Sequence, residues 1–181
     1  MTKLRSLLYI PYVIADLIVL ALSYIVIFWF LPLFADKDGN LPKYLYWFQT
    51  FDASLDEGWK SKYDGFNPNP QGFWQLYYAR LKWLWRNPCY GFDYYPFGFT
   101  FDLTQWTIRK WESNDQRELF IATGQGLFSI IYYGKYGTWK LGWKAWNYFD
   151  SNTGKWKENY SWGDQHKIPL CFSPNINRRK V

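Results

Sequence analysis

Three patterns of apolar and polar positions follow one another along this chain. The first is nearly unbroken: Leu7 to Ala35 holds a single charge, Asp16, and Leu17–Ala35 holds none. A helix rising about 1.5 Å per residue needs roughly 20 apolar residues to cross a hydrocarbon core of about 30 Å. Leu17–Ala35 therefore predicts a transmembrane helix, and no other stretch is long enough. A secretory signal peptide has a shorter apolar core and a small-x-small cleavage site. Here the run is longer and Leu33-Phe34-Ala35 is a poor site, so the helix is expected to be retained. A carboxylate at membrane depth costs on the order of 2–3 kcal/mol, which places Asp16 near one interface, with Leu7–Ala15 in the headgroup region and a break at Pro11. The alternative for Asp16 is a functional or paired carboxylate.

The second pattern has helical spacing. Phe73, Leu76, Tyr77, Leu81 and Leu84 recur at three and four residues, so a helix is predicted over Gly72–Asn87, ended by Pro88. Arg80, Lys82 and Arg86 give it charge, and Trp74, Trp83 and Trp85 flank its stripe. Such a helix is expected to pack on the sheet and turn its basic residues to anionic headgroups, the alternative being that it lies in the membrane interface. The segment before it divides in two. Tyr44, Tyr46, Trp47, Phe48 and Phe51 are rings of the kind that gather where bilayer meets water, with domain core as the other reading. Asp52–Gly72 is rich in Asp, Gly, Asn and Pro and reads as a loop, its Asp52, Asp56 and Glu57 solvent-facing or capping.

The third pattern alternates with a period of two. Phe97, Phe99, Phe101 and Leu103 predict one strand; Leu127–Tyr133, through Gly134-Lys135-Tyr136-Gly137, joins a second alternation of Trp139, Leu141, Trp143 and Ala145. Trp139, Leu141 and Trp143 are expected on the core face, with Lys140 and Lys144 in solvent. A turn at Asp150–Gly154 leads to Lys155–Glu158, and Ile168–Phe172 closes the set at Pro174. Leu119–Tyr133 is too short to span and is interrupted at Thr123-Gly124-Gln125-Gly126. The fold class is α+β: an N-terminal transmembrane helix, then a small aromatic-rich antiparallel β domain with one amphipathic helix. The segments are residues 1–35, 36–96 and 97–181, with 36–181 folding as one unit.

Composition narrows function without naming it. A mean hydropathy of −0.37 excludes a polytopic membrane protein. The formal charge of +6 and 13 tryptophans suit lipid, glycan or phosphate, but the basic residues are spread along the chain, which disfavours nucleic acid. Lys3 and Arg5 precede the helix; Lys37 and Lys43, then Lys60 and Lys62, follow it, and Arg178-Arg179-Lys180 ends the chain. That balance leans the soluble domain toward the cytosol. Cys89 and Cys171 have no metal spacing and fit one disulfide or two thiols. Asp36-Lys37-Asp38-Gly39-Asn40 opens like a calcium loop, but the positions for glycine and bidentate Glu hold Leu41 and Trp47. Gly124 and Gly126 make only G-x-G, and His166 has no catalytic context. No cofactor, metal or catalytic residue is predicted. The expected contacts with a membrane surface are Arg80, Lys82, Arg86, Trp47 and Trp85.

Several short motifs occur together: Leu41–Thr50, Asp52–Trp59, Arg86-Asn87-Pro88-Cys89-Tyr90-Gly91-Phe92, Leu141-Gly142-Trp143-Lys144 and Phe172-Ser173-Pro174-Asn175. In this, residues 41–175 resemble an uncharacterised family of small phage-encoded proteins with an N-terminal hydrophobic segment. The chain departs from that pattern at Phe51, where the family has Pro, and at Cys89, where it has Ala. The second departure weakens Cys89 as a nucleophile. The resemblance implies a phage or prophage origin and a bacterial host inner membrane, and brings no activity. The expected function is a non-catalytic membrane-anchored accessory protein whose partners are the lipid bilayer and a host envelope or phage protein. A glycan- or nucleic-acid-binding module is the alternative.

Overall fold

The structure is a computed structural model that describes residues 2–60, 69–115, 117–135, 137–157 and 166–176. Lys62, Tyr136, Glu158, Gly163–Gln165 and Arg178–Lys180 lie outside the described residues. The chain divides into two compact units, Met1–Val13 with Phe97–Val181, and Ile14–Pro96. The hydrophobic helix is divided between the units at Val13/Ile14.

That helix runs from Arg5 to Leu33. A 3-10 turn (Thr2–Leu8) leads into α1 (Tyr9–Leu22), a π turn (Ser23–Ile27), α2 (Phe28–Phe30) and a last 3-10 turn (Leu31–Leu33). Pro11 does not break it. It stands in the first turn of α1, where N–H groups need no helical acceptor.

In the first unit the strands are β1 (Phe99–Thr100), β2 (Trp106–Ser113), β3 (Glu118–Gly124), β4 (Leu127–Gly134), β5 (Gly137–Trp143), β6 (Phe149–Asp150), β7 (Lys155–Trp156), β8 (Lys167–Ile168) and β9 (Leu170–Asn175). The central sheet is antiparallel in the order β2-β3-β4-β5-β9. The run rejected as a span is the β3–β4 hairpin. Its turn residues Gln125 and Gly126 both have positive φ, 53° and 76°, which matches the twist of tight hairpins. β6 and β7 close the predicted turn at Asp150–Gly154.

The sheet is covered on both faces. Phe120 lies 4.5 Å from Phe149, and Trp111 4.9 Å from the same ring, on one side. On the other, Phe128 and Trp143 meet Tyr9 at 4.8 and 5.7 Å. The Tyr9 hydroxyl donates to the Cys171 carbonyl at 3.0 Å. Tyr9 and Val13 thus complete the core of the sheet unit.

Two strand expectations are corrected. Phe97–Leu103 pairs only at Phe99 and Thr100. Its rings serve as separate packing anchors: Phe97 stacks on Tyr12, and Phe101 stacks on Tyr148. Trp143 is fully buried, but Trp139 is 36% exposed. Trp143 sits at the end of β5 roofed by Tyr9 and Phe99.

In the second unit the residues after the helix form a 3-10 turn (Lys43–Phe48), α3 (Glu57–Lys60), α4 (Gly72–Arg86) and α5 (Tyr90–Tyr94). Its core joins Phe28 and Leu31 of the hydrophobic helix to Leu41, Leu55, Leu81, Trp83, Leu84 and Cys89. The predicted helix over Gly72–Asn87 is α4 to within one residue, but it does not pack on the sheet: its Leu81, Trp83 and Leu84 are buried against Phe28, Leu31, Leu41 and Leu55 of their own unit.

Candidate membrane interface

The hydrophobic helix has two faces of opposite character. The inward stripe carries Val13, Ser23, Phe28 and Leu31, all buried, and Asp16, half-buried. Between Leu7 and Leu33, Asp16 and Ser23 are the polar side chains apart from the aromatic ones, and neither is exposed. The outward stripe carries Leu7, Ile10, Ile14, Leu17, Ile18, Leu22, Ile25, Val26, Phe30 and Leu33, all exposed. Burying apolar side chains is the main favourable term in folding in water, so a helix that hides its polar groups and displays its aliphatic ones is matched to an apolar solvent.

α4 runs antiparallel beside the helix. The Cys89 thiol lies 3.2 Å from the Ser23 hydroxyl, Trp85 packs edge-on to Trp29 at 5.4 Å, and Arg80 reaches the Asp36 carbonyl at 2.9 Å. Two tyrosine hydroxyls near the outward surface are satisfied within the chain: Tyr24 donates to the Trp85 carbonyl and Tyr77 to the Trp29 carbonyl. In hydrocarbon every polar hydrogen needs such an internal acceptor. Phe73, Trp74, Tyr78 and Trp85 add exposed rings from α4.

The five residues expected at a membrane surface separate. Lys82, Arg86 and Trp85 are exposed on α4, and Trp47 is 47% exposed beside Phe92. Arg80 is not on the surface. It is 5% exposed, its Nε 2.7 Å and its Nη2 3.2 Å from the two carboxylate oxygens of Asp56. Asp56, read as a solvent-facing loop carboxylate, is 2% exposed. The fork geometry of guanidinium on carboxylate allows both charges to leave water together. Gly39, at φ 81°, lies against that carboxylate, and a Cβ there would collide with it. Nothing local to Asp56 signals this pairing, because its partner is 24 residues away.

The remaining candidates are reported in the same terms. Asp36 accepts backbone hydrogen bonds from Asp38 and Asn40, so the calcium-like segment is a carboxylate-capped turn. Cys89 and Cys171 are buried thiols. Burial pushes the Cys89 thiol up to about 12, with the Asp16 and Asp93 charges adding to the rise against the Ser23 hydrogen bond; a thiol so poorly ionised is a weak nucleophile. Asp52 lies apart from Asp56, on a cleft of about 530 Å³ with Asn40, Ser54, Tyr46, Phe51 and Tyr95. Among the described residues no three His, Cys, Asp or Glu side chains gather as a metal site would require.

A family model, "Family of unknown function (DUF7338)", matches residues 1–180. The chain belongs to that family. No curated protein and no solved structure matches it. The family match covers the hydrophobic helix as well as both compact units.

Proposed function

We propose that this DUF7338 protein is a non-catalytic membrane-associated accessory protein, phage or prophage encoded, acting at the inner membrane of a bacterial host. It works through lipid contact and through an envelope or phage protein held at the same surface. The observation that carries this reading is the reversed polarity of the helix Arg5–Leu33, with Asp16 and Ser23 inward and its aliphatic side chains outward. The phage origin rests on the motif resemblance, and the cytosolic placement of the soluble parts on the distribution of Lys and Arg. Lys82 and Arg86 stand exposed next to Trp85, where each basic group adds about 1 kcal/mol at an anionic surface.

Two measurements test it. Full-length protein made in bacteria should float with membranes and stay there through alkaline carbonate; recovery of the intact chain in the soluble fraction would refute the reading. Purified protein should favour anionic over neutral vesicles, and Lys82→Gln with Arg86→Gln should erase that preference. A second reading, a glycan-binding module, is favoured by the cleft that joins Tyr46, Phe51 and Tyr95 to Asp52, Asn40 and Ser54, since rings and carboxylates suit sugar hydroxyls. Chemical-shift changes at Tyr95 on adding oligosaccharide would support it.

A further inference from the structure

We infer that residues 14–33 of the hydrophobic helix lie in the plane of one leaflet and do not cross the bilayer, with acyl chains of that leaflet as the occupant of their outward face. This rests on the membrane reading above and goes beyond it by fixing the mode of contact.

The argument comes from Ile14–Pro96 alone. α4 and the turn after it are tied to the helix at both ends of one stretch, Cys89 to Ser23 and Arg80 to Asp36. Between these ties lie about 15–20 Å of helix at about 1.5 Å per residue. If Asp36 marked one face of the bilayer and the helix descended from there, the far end of α4 would descend with it. Arg86, exposed on that end and six residues on from Arg80, would sit about 9 Å inside a hydrocarbon core of about 30 Å. Asn87 and α5 with Asp93 would follow. Charged groups at such depth are strongly disfavoured.

Laid in the plane, the same geometry has no such conflict. All of α4 then stays at one depth, with Trp29, Trp74 and Trp85 at the level where amphipathic rings collect and Lys82 and Arg86 at headgroups. The inward stripe supports the same placement. Phe28 and Leu31 are 0% and 2% exposed, covered by Leu41, Leu55, Leu81 and Leu84 of their own chain. Val19 and Ile27 pack against the same cluster.

The test uses the full chain on sealed vesicles, with Cys89 and Cys171 replaced by alanine and single cysteines placed at outward positions: Ile14→Cys, Ile25→Cys and Leu33→Cys. These sites are 53%, 70% and 54% exposed, so a spin label disturbs no packing. Depth is read from collision with oxygen against a polar nickel chelate. An in-plane helix gives all three labels the same shallow depth. A crossing helix gives a gradient, with labels about 28 Å apart along the axis, and overturns the inference while leaving membrane association intact. Water exposure at all three sites on the vesicle-treated protein overturns both. Protease added outside the vesicles gives an independent reading on the unsubstituted chain: terminal tags at both ends should be removed, whereas protection of either one indicates crossing.

Discussion

The two compact units distribute polarity in opposite ways. In the sheet unit the buried side chains are almost all apolar, with Ser129 the one buried polar residue among those described. In Ile14–Pro96 the interior holds Ser23, Gln49, Thr50, Asp56, Arg80 and Asp93, while most of the large apolar side chains left exposed belong to this same unit. The sheet unit follows the rule for water, where apolar area is worth about 25 cal/mol per Å² when hidden. The other unit departs from that rule, as the proposed contact with lipid would require. A single composition figure averages the two away, and this is why the mean hydropathy alone pointed only to what the protein is not.

The largest effects should come from each unit's core and differ in kind. Arg80→Ala leaves Asp56 charged and buried without its fork partner, which should cost about 3–5 kcal/mol. Replacing both, as Arg80→Met with Asp56→Leu, should recover most of that loss, read as the denaturation midpoint in detergent. If the double replacement is as damaging as the single one, the polar interior is not governed by this pair. In the sheet unit, Trp143→Ala should also cost about 3–5 kcal/mol, whereas Trp139→Ala, at an exposed position, should cost far less. Equal losses would mean that Trp139 is covered in solution.

Smaller effects sharpen the outer surface. Ile25→Lys, at a site 70% exposed, should leave the unfolding midpoint unchanged but lower vesicle binding by about 2–3 kcal/mol, roughly one hundredfold. A soluble-protein reading of this face predicts the reverse, since a surface lysine is harmless in water. The smallest effect concerns acid. Backbone hydrogen bonds from Asn40 and Asp38 hold the Asp36 carboxyl below its ordinary value of 3.8. A carboxyl lowered in the folded state stabilises it above the unfolded value, and that contribution is lost as pH falls through the folded one. Asp36→Ala should therefore lower stability at neutral pH, leave it unchanged at pH below the folded value, and so flatten the acid side of the profile.

What could be read from sequence was what local spacing encodes. α4 declared itself through Phe73, Leu76, Tyr77, Leu81 and Leu84 and through Pro88. The β4–β5 connection was legible in Gly134 and Gly137, and the β6–β7 turn in Asp150, Asn152 and Gly154. β2 was not read at all, because a register shift between Ile108 and Lys110 breaks its alternation. The run Phe97–Leu103 alternated without being a strand, since rings spaced by small or polar residues can serve as anchors to three different partners. Of the interface, Lys82, Arg86, Trp85 and Trp47 were found by residue type and spacing. Arg80 fitted the same pattern and was misplaced, because a guanidinium on an amphipathic helix gives no local sign that a carboxylate 24 residues earlier will meet it inside. The inward turn of Asp16 was equally hidden, as it depends on what packs against the helix.

The bond from Tyr9 to the Cys171 carbonyl spans 162 residues, and this has a consequence in time. Chains grow at roughly 5–20 residues per second, so the first helix leaves the ribosome about 8–30 s before the strand that will hold its tyrosine. For that interval Tyr9 and Val13 lack the sheet core they complete, while Leu41, Leu55, Leu81 and Leu84, made within it, can already cover Phe28 and Leu31. On the membrane proposal, attachment to lipid then precedes completion of the sheet. Nascent chains arrested before Leu170 should accordingly already co-sediment with membranes, while those with the Ile25→Lys change should remain with free ribosomes.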